Sequence, residues 1–406
     1  MPDPAAQLRI RMYHVGFGDA FLLFIPTEDG ERTMLVDCGV HPSGVANTIS
    51  TVVKDIIRTV TVDGKARLDV VVATHRHFDH ISGFGLKAWR EVEVGEVWLP
   101  WTEERGNPRA DAIRHTQHRL AAALTKRFGV RTTIGAMARN SFSNEDSEQT
   151  LLKGFTGAPL RAYLPQVARD ERTFLPRALP GVTVHAIGPS HDPDVVALLD
   201  PPGAHGFPFG PGDLAADDRE LMPRAPTGVP LFNDRFVSKP SAVKRKDPER
   251  WARADTAKLQ EAAEYDYFAA ASSLEDSING TSLVLMLEIG KQRVLLAGDA
   301  EWGTWSEALA DDAWRNLLRR TTIYKVSHHG SWNGTPTDFV HDLLSKEALS
   351  LMSFKDVDRW PSIPRDSLTT ALAVDERVLV RSDKKAPADP RITRTALWTE
   401  VAVPVG

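Results

Sequence analysis

Residues 74–80 read Thr-His-Arg-His-Phe-Asp-His, and they follow an apolar run, Val-Val-Val-Ala, at residues 70–73. Burying three imidazoles and a carboxylate at the end of a strand is unfavourable unless these groups bind something. Imidazole and carboxylate together suit zinc, manganese or iron, whereas magnesium and calcium prefer oxygen ligands. His75 and His77 project from the same side of an extended segment, so they can share one ion. Asp79 and His80 lie on the following turn, where they can reach a second ion.

Three other apolar segments end in residues that can bind a metal ion. One ends at Asp37, a second at Asp299, and a third at His328 and His329. The ends of such strands converge on one edge of a sheet, where α/β proteins usually place their active sites. We therefore expect one site with two divalent ions, and Asp299 is the natural carboxylate to bridge them. Two ions about 3.5–4 Å apart polarise a scissile group and generate hydroxide near neutral pH.

Other residues with metal-binding or reactive side chains are expected to have supporting or ordinary roles. Asp19 and Asp37 are expected to orient ligands rather than to bind an ion directly. Cys38 is expected to be a small core residue. Several histidines are isolated in the sequence, and surface or core roles are expected for them: His14, His115, His118, His185, His191 and His205.

The composition describes an ordinary globular protein. The chain has 406 residues, of which 42% are hydrophobic and 25% are charged, with a net charge of −5. This charge argues against a globally basic nucleic-acid-binding protein, although a local basic groove stays open. A single cysteine excludes an internal disulfide framework and fits a reducing compartment. The sequence has neither a visible secretory signal nor a membrane-spanning run, so we expect a cytoplasmic protein without membrane contact.

The pattern along the chain changes in the middle. Strand-like segments dominate the first hundred residues and return from about residue 281. Between them, Asn107 and Pro108 predict the start of a basic amphipathic helix that runs to about residue 128. Residues 189–240 are rich in Pro, Gly and Asp and predict a long surface excursion. A second helix is expected from residue 248 to about residue 271.

The segment 75–80 resembles the H-x-H-x-D-H signature of the metallo-β-lactamase superfamily. Four further segments resemble the ComEC-type branch of this superfamily, which includes the hydrolase domain of DNA-uptake competence proteins: residues 14–20, 279–284, 295–299 and 325–331. The resemblance covers roughly residues 8–100 and 277–400, whereas residues 101–276 match no part of the family. It implies a single αββα sandwich domain over residues 1–406, with two mixed β-sheets. Residues 101–276 would be a large insertion, partly helical and with a Pro/Gly-rich loop.

The resemblance also implies roles for the clustered residues. His75 and His77 would hold one metal ion, and Asp299 would bridge the two. The second ion would be held by Asp79, His80 and one of the paired histidines, with His329 favoured as the ligand. His328 would then contact the scissile group. The candidate catalytic residues are Asp79, His328, Asn279 and Asp37.

Two departures from the superfamily pattern stand out. Most of the superfamily has a further histidine before the bridging aspartate, but here, as in the ComEC-type branch, Asn279 and Ser282 occupy that region. The first metal ion is therefore expected to be held less tightly. Near the C-terminus the branch often has His-Pro, whereas residues 358–362 read Asp-Arg-Trp-Pro-Ser.

The leading functional hypothesis is an enzyme that hydrolyses a phosphodiester in DNA or RNA, with two zinc or manganese ions. Branch membership supports it, and so do basic residues in the insertion, which would suit a polyanion if they line the metal cleft. The alternative is that these residues form solvated helix faces, because acids such as Asp111 and Glu249 lie among them. The basic residues are Arg105, Arg109, Arg114, Arg119, Lys126, Arg127, Arg131, Lys239, Lys244, Arg245, Lys246, Arg250 and Arg253.

Three other hypotheses stay open. A small-molecule phosphoester or lactone hydrolase would use the 189–240 excursion as a substrate lid. A partner-gated effector or sensor subunit would use the 101–276 insertion as a docking surface for another protein. An oxygen-dependent iron enzyme, also known in the superfamily, is disfavoured if the purified protein contains zinc or manganese.

Overall fold

The computed structural model describes most of the chain. The described residues are 6–129, 132–140, 144–166, 172–196, 198–202, 205–207, 267, 270–357, 360 and 362–406. The helix expected at residues 248–271 and the excursion expected at residues 189–240 lie largely outside this range. Within it, no helix has both the length and the apolar character that a membrane crossing needs.

Sixteen strands are present in the part of the chain that the structure describes. In chain order they are β1 (Gln7–Tyr13), β2 (Ala20–Thr27), β3 (Gly30–Cys38), β4 (Thr61–Val62), β5 (Lys65–Val72), β6 (Glu93–Pro100), β7 (Leu160–Leu164), β8 (Thr173–Phe174), β9 (Thr183–Gly188), β10 (Val284–Ile289), β11 (Gln292–Leu296), β12 (Ile323–Lys325), β13 (Leu349–Met352), β14 (Val378–Arg381), β15 (Ile392–Arg394) and β16 (Trp398–Pro404).

The α-helices lie between these strands. They are α1 (Ile49–Thr59), α2 (Phe78–Ile81), α3 (Pro108–Phe128), α4 (Thr133–Asn140), α5 (Glu145–Gln149), α6 (Pro193–Val196), α7 (Trp302–Ala310), α8 (Asp312–Leu318) and α9 (Asp366–Ala371). Residues 270–279 are also helical.

The strands form two mixed sheets. Among the described residues, the first sheet has nine strands in the order β15-β16-β1-β2-β3-β5-β6-β7, with β4 beside β5. The second has seven, in the order β14-β13-β12-β11-β10-β9-β8. In the first sheet β1 and β2 are antiparallel while β3 and β5 are parallel. In the second, β10 and β11 are antiparallel while β11 and β12 are parallel.

The main core lies between the two sheets. Val36 and Val72 of the first sheet belong to the same buried cluster as Leu285 and Leu296 of the second. Because side chains alternate along a strand, the neighbouring residues of each strand face outwards. Both faces of the central strands are therefore buried, which explains their continuous apolar sequences.

Helices cover the outer face of each sheet. Val52 and Ile56 of α1 pack on the first sheet, in a second buried cluster. Trp305 of α7 and Leu317 of α8 pack on the second sheet, in a third cluster. The αββα sandwich predicted from the sequence is confirmed.

The helix predicted after Asn107 is also confirmed, with Pro108 as its first residue. The Asn107 side chain accepts hydrogen bonds from the backbone N–H groups of Arg109 and Ala110, at 3.1 and 3.4 Å. These bonds satisfy two of the donors that a helix start leaves unpaired.

Part of the predicted insertion lies within the sandwich itself. Strand β7 pairs in parallel with β6 in the first sheet, and β9 pairs antiparallel with β10 in the second. Both strands fall inside residues 101–276. Residues 101–276 therefore contribute one strand to each sheet of the sandwich. How much of this segment forms a separate insertion stays a prediction.

The turn between β1 and β2 depends on a glycine that touches the histidine-rich segment. Gly18 has a φ of +144°, and a Cβ atom there would lie 2.6 Å from the backbone oxygens of Asp79 and Gly39. Beside it, the Asp19 N–H donates to the Asp79 carbonyl oxygen at 3.0 Å. This close approach fixes the turn against the segment that carries Asp79.

Gly30, in the turn between β2 and β3, is a matched control for Gly18. It also has a positive φ, +109°, but none of the described residues places an atom within 4 Å of a Cβ atom there. We expect Gly30→Ala to lower the free energy of unfolding by about 1–2 kcal/mol, because only backbone strain is added. Gly18→Ala should lower it by about 3 kcal/mol or more, because a collision with backbone atoms is added to the strain. Urea unfolding measures both values, and equal losses would contradict this account of the turn.

Candidate metal centre

The predicted site residues lie together at one edge of the sandwich. Asp37 is the penultimate residue of β3, and the segment 74–80 follows β5 and continues into α2. Asp299 follows β11, while His328 and His329 follow β12. Strands β11 and β12 are parallel neighbours, so their carboxyl ends present these residues side by side.

Four of the predicted ligands form a compact group. Asp79, His80, Asp299 and His329 each offer one ligand atom, and these atoms lie within 4.8 Å of one another. The Nε2 atom of His80 lies 3.0 Å from Oδ2 of Asp299. The Nε2 atom of His329 lies 3.5 Å from the same oxygen and 3.6 Å from Oδ2 of Asp79. These are distances at which one ion can bind several of the atoms.

His75 and His77 lie beside this group. The Nε2 atom of His75 is 3.0 Å from Nδ1 of His77, and the ring centroids of His75 and His80 are 4.1 Å apart. Burial lowers the pKa of both His75 and His77, to about 4 for His77. Both imidazoles are therefore neutral at pH 7, which is the form that binds metal.

Unsatisfied atoms show that the residues fit a divalent metal ion. Three buried atoms have no hydrogen-bond partner among the residues that the structure describes: Nε2 of His77, Oδ1 of Asp79 and Nε2 of His329. Buried polar atoms without partners are rare in folded proteins and require an explanation. Nitrogen and carboxylate donors in this combination are typical of zinc or manganese sites.

Asp37 lies behind His80 and holds it in place. One carboxylate oxygen of Asp37 accepts a hydrogen bond from the Thr74 N–H and the other from the Thr74 hydroxyl, both at 2.7 Å. Oδ2 of Asp37 also lies 2.9 Å from Nδ1 of His80. This leaves Nε2 of His80 directed towards Asp299. The arrangement is the one that the predicted orienting role of Asp37 requires.

Protonation of the ligand group depends on opposing effects. Burial opposes the charge on His80, but Asp299 and Asp37 outweigh burial and raise its pKa. Burial alone would raise the pKa of Asp79, yet the nearby imidazoles of His329 and His80 lower it. His80, His329 and Lys325 likewise outweigh burial and lower the pKa of Asp299. Asp79 and Asp299 are therefore ionised and ready to bind a cation.

Lys325 is a buried cation that the sequence patterns did not identify as part of the site. Its ammonium donates to the Gly298 carbonyl oxygen at 2.8 Å and to Oδ1 of Asp299 at 3.2 Å, and it pairs with Asp19. Burial disfavours its charge, but Asp19 and Asp299 raise its pKa overall. The sequence does hold one indication of this role. Lys325 ends an otherwise apolar strand, β12, and a lysine is seldom buried without a partner.

Glu301 is a second residue that the sequence patterns missed. Nδ2 of Asn279 donates to Oε1 of Glu301 at 3.2 Å and lies 3.2 Å from Nε2 of His328. Burial and the nearby Asp276 raise the pKa of Glu301. The His328 side chain is 18% exposed, more than the ligand group, and its contact with a scissile group stays a prediction. The feature of the sequence that could have identified Glu301 is its position two residues after Asp299.

The isolated histidines that make clear contacts lie outside the ligand group. His14 contacts the Ala396 carbonyl oxygen and the Thr399 hydroxyl, at 3.1 and 2.8 Å, and so links the end of β1 to the start of its neighbour β16. His185 contacts the Thr173 hydroxyl at 2.9 Å. Cys38 is fully buried in the outer core of the first sheet.

Comparison with known proteins agrees with this architecture. The family model described as Metallo-beta-lactamase superfamily matches residues 15–203. The chain has the metallo-β-lactamase fold. The matched region contains the histidine-rich segment, which lies after β5 in the first sheet of this fold. The ComEC-type branch is not distinguished by this match and stays a prediction.

Two solved structures are similar to the chain. One is Zn(2+)-bound PqqB from Methylobacterium extorquens, with 11% identity over 90% of this chain and 85% of that chain, and a TM-score of 0.38. The other is a beta-lactamase domain protein from Burkholderia ambifaria, with 16% identity over 46% of this chain and 48% of that chain, and a TM-score of 0.23. No curated protein matches the chain.

Lys325 provides a test of charge balance at the site. We expect Lys325→Met to lower the free energy of unfolding of the metal-free protein by about 3–5 kcal/mol, because Asp19 and Asp299 lose their buried cation. Saturating zinc should recover much of this loss, because the ion supplies positive charge to Asp299. Urea unfolding with EDTA and with zinc measures both effects.

Lys291→Met is the control, because Lys291 is exposed in the turn between β10 and β11. We expect this change to alter the free energy of unfolding by less than about 0.5 kcal/mol. If Lys325→Met lowered the free energy of unfolding as little as Lys291→Met, Lys325 would not balance the charge of the buried carboxylates.

Proposed function

We propose that this metal-dependent hydrolase cleaves phosphodiesters and that its substrate is DNA or RNA. The observation that supports the proposal is the basic exposed face of helix α3, which is joined to the metal-binding segment. Zinc or manganese ions are proposed as cofactors, two per chain. The ions would polarise the scissile phosphate and supply the nucleophile.

Helix α3 is connected to the metal centre through Arg76, which lies between His75 and His77. The Arg76 guanidinium donates to the side-chain oxygen of Gln117 on α3. Gln117 in turn donates to the carbonyl oxygen of Ser277 at 3.2 Å. The Asn144 side chain donates to the Arg76 carbonyl oxygen at 2.5 Å. Arg76 is 4% exposed, so this connection is buried.

The exposed face of α3 carries positive charge. Its exposed basic residues are Arg109, Arg119, Lys126 and Arg127. Asp111 is the one acidic residue of this helix, so the face is basic overall. The α3 side chains that are exposed would therefore favour a polyanionic substrate that extends from the metal centre over this helix, because phosphate contacts dominate the affinity for nucleic acids.

Two of the predicted basic residues, Arg114 and Arg105, are engaged in contacts within the protein. Arg114 is 4% exposed and donates to the carbonyl oxygen of Glu104 at 3.0 Å, so it supports the start of α3 and does not face a substrate. Arg105 pairs with Glu148 at 3.0 Å. Residue 131 and the predicted basic residues from 239 to 253 lie outside the described residues.

The chain itself supplies groups that bind and orient the phosphate. His328 is the more exposed histidine of the pair, and its Nε2 atom lies 3.2 Å from Nδ2 of the buried Asn279. These two side chains would contact a phosphate oxygen. Lys325 balances the charge of Asp299, which limits repulsion between the buried carboxylates and an anionic substrate. Asp37 fixes the ring orientation of His80.

The first test is cleavage of end-labelled single-stranded DNA with manganese or zinc. We expect wild type to cleave the strand and Asp299→Ala to lose activity by at least about 1,000-fold, because a group needed for metal binding is removed. Asp342→Ala is the control, because Asp342 is an exposed acid outside the site. Product ladders would show the polarity of cleavage.

Turnover of a lactone or a carboxylic ester without any phosphodiester cleavage would contradict the proposal and favour a small-molecule hydrolase. Activity that appears only with a copurifying protein would instead favour a partner-gated enzyme.

A charge reversal on α3 tests the basic face separately. We expect Arg119→Glu combined with Lys126→Glu to raise KM for DNA about tenfold or more and to reduce the salt dependence of KM, because two phosphate contacts become repulsive. Hydrolysis of bis(p-nitrophenyl) phosphate, which is too small to reach α3, should not change. An unchanged KM for DNA would exclude α3 from the binding surface.

A further inference from the structure

A row of aromatic rings leads from the metal centre outwards. The Phe17 ring lies 4.3 Å from the His329 ring, centroid to centroid. Trp360 stacks on Phe17 at 4.8 Å with an interplanar angle of 20°. His41 meets the edge of this stack, 5.1 Å from Trp360 and nearly perpendicular to it. A single ring, that of Phe17, therefore lies between Trp360 and the proposed metal ligand His329.

Backbone hydrogen bonds hold each ring in place. The Phe17 N–H donates to the Gly44 carbonyl oxygen at 2.9 Å, and the His41 N–H donates to the Phe17 carbonyl oxygen at 2.7 Å. The Trp360 N–H donates to the Val357 carbonyl oxygen at 2.9 Å. A preorganised ring loses little conformational entropy when a ligand stacks on it.

The rings differ in their exposure. Phe17, His41 and His329 are 4%, 5% and 1% exposed, so their faces are already covered. Trp360 is partly exposed. Its ring is therefore the member of the row that can offer surface to a ligand. Tryptophan is well suited to this role, because stacking on a base is sequence-tolerant and every base has a π-face.

We propose that Trp360 forms a stacking subsite for a nucleobase next to the scissile phosphate. This proposal rests on the phosphodiesterase function proposed above and adds a determinant of substrate choice. In a nucleotide, a base and its phosphate are separated by one sugar. A substrate phosphate held at the His329 side of the metal centre can therefore place its adjacent base against Trp360, the outer member of the row.

The experiment compares two diesters that share one leaving group and one charge. They are thymidine 5′-(p-nitrophenyl phosphate) and methyl p-nitrophenyl phosphate, and only the first carries a base. We expect wild type to prefer the thymidine diester in kcat/KM. Trp360→Leu should reduce this preference about tenfold through KM, because it removes the ring. Hydrolysis of the methyl diester should not change.

Trp360→Phe is the matched variant, because it keeps an aromatic ring at the same position. It should retain most of the preference, whereas a purely structural role of Trp360 would affect both diesters equally in either variant. The proposal is overturned if wild type and Trp360→Leu show the same preference for the thymidine diester over the methyl diester and unfold at the same temperature.

The two proposals fail in different ways. If neither diester is hydrolysed, the phosphodiesterase function fails, and the subsite is then tested by calorimetric titration with thymidine 5′-monophosphate. Binding to the zinc-loaded protein about tenfold weaker in Trp360→Leu would support the subsite. Equal affinities in wild type and Trp360→Leu would overturn it.

Discussion

The burial of negative charge at one edge of the sandwich is the constraint on which the site depends. Five carboxyl groups are less than 6% exposed there: Asp19, Asp37, Asp79, Asp299 and Glu301, the last with a raised pKa that favours its neutral form. Lys325 contacts two of them, and His80 lies between two. Buried carboxylates repel one another strongly unless cations or protons neutralise them. Divalent ions at the unsatisfied atoms of His77, Asp79 and His329 would balance this charge and complete their coordination.

The fold creates this concentration of charge by bringing strand ends together. The apolar core between the sheets stabilises strands β3, β5, β11 and β12, and their carboxyl ends leave short loops at one edge. The backbone adopts unusual conformations there, since Asp37 and His328 have φ values of +56° and +48°. Such strain persists only where the surrounding structure fixes it, and it is common at functional sites.

The resemblance of residues 75–80 and their flanking segments to a known superfamily implied the sandwich, whereas the position of the site follows from local sequence patterns. Apolar strands are continuous, and the residues that end them are adjacent to those strands in the chain. Lys325 and Glu301 were missed because their importance comes from contacts with residues far away in sequence. Strands β7 and β9 were not predicted, because they are short and the segments around them have no clear hydrophobic periodicity. The place of Trp360 beside Phe17 depends on tertiary packing, which no local pattern shows.

The most direct test of the central claim is anomalous X-ray scattering at the zinc edge from crystals grown with zinc. The account predicts a peak about 2.0–2.2 Å from the donor atoms of Asp79, His80, Asp299 and His329. A second, weaker peak is expected beside His75 and His77, where fewer protein ligands are available. Absence of any peak bonded to these residues at saturating zinc would contradict the claim that the buried charge is balanced by metal ions.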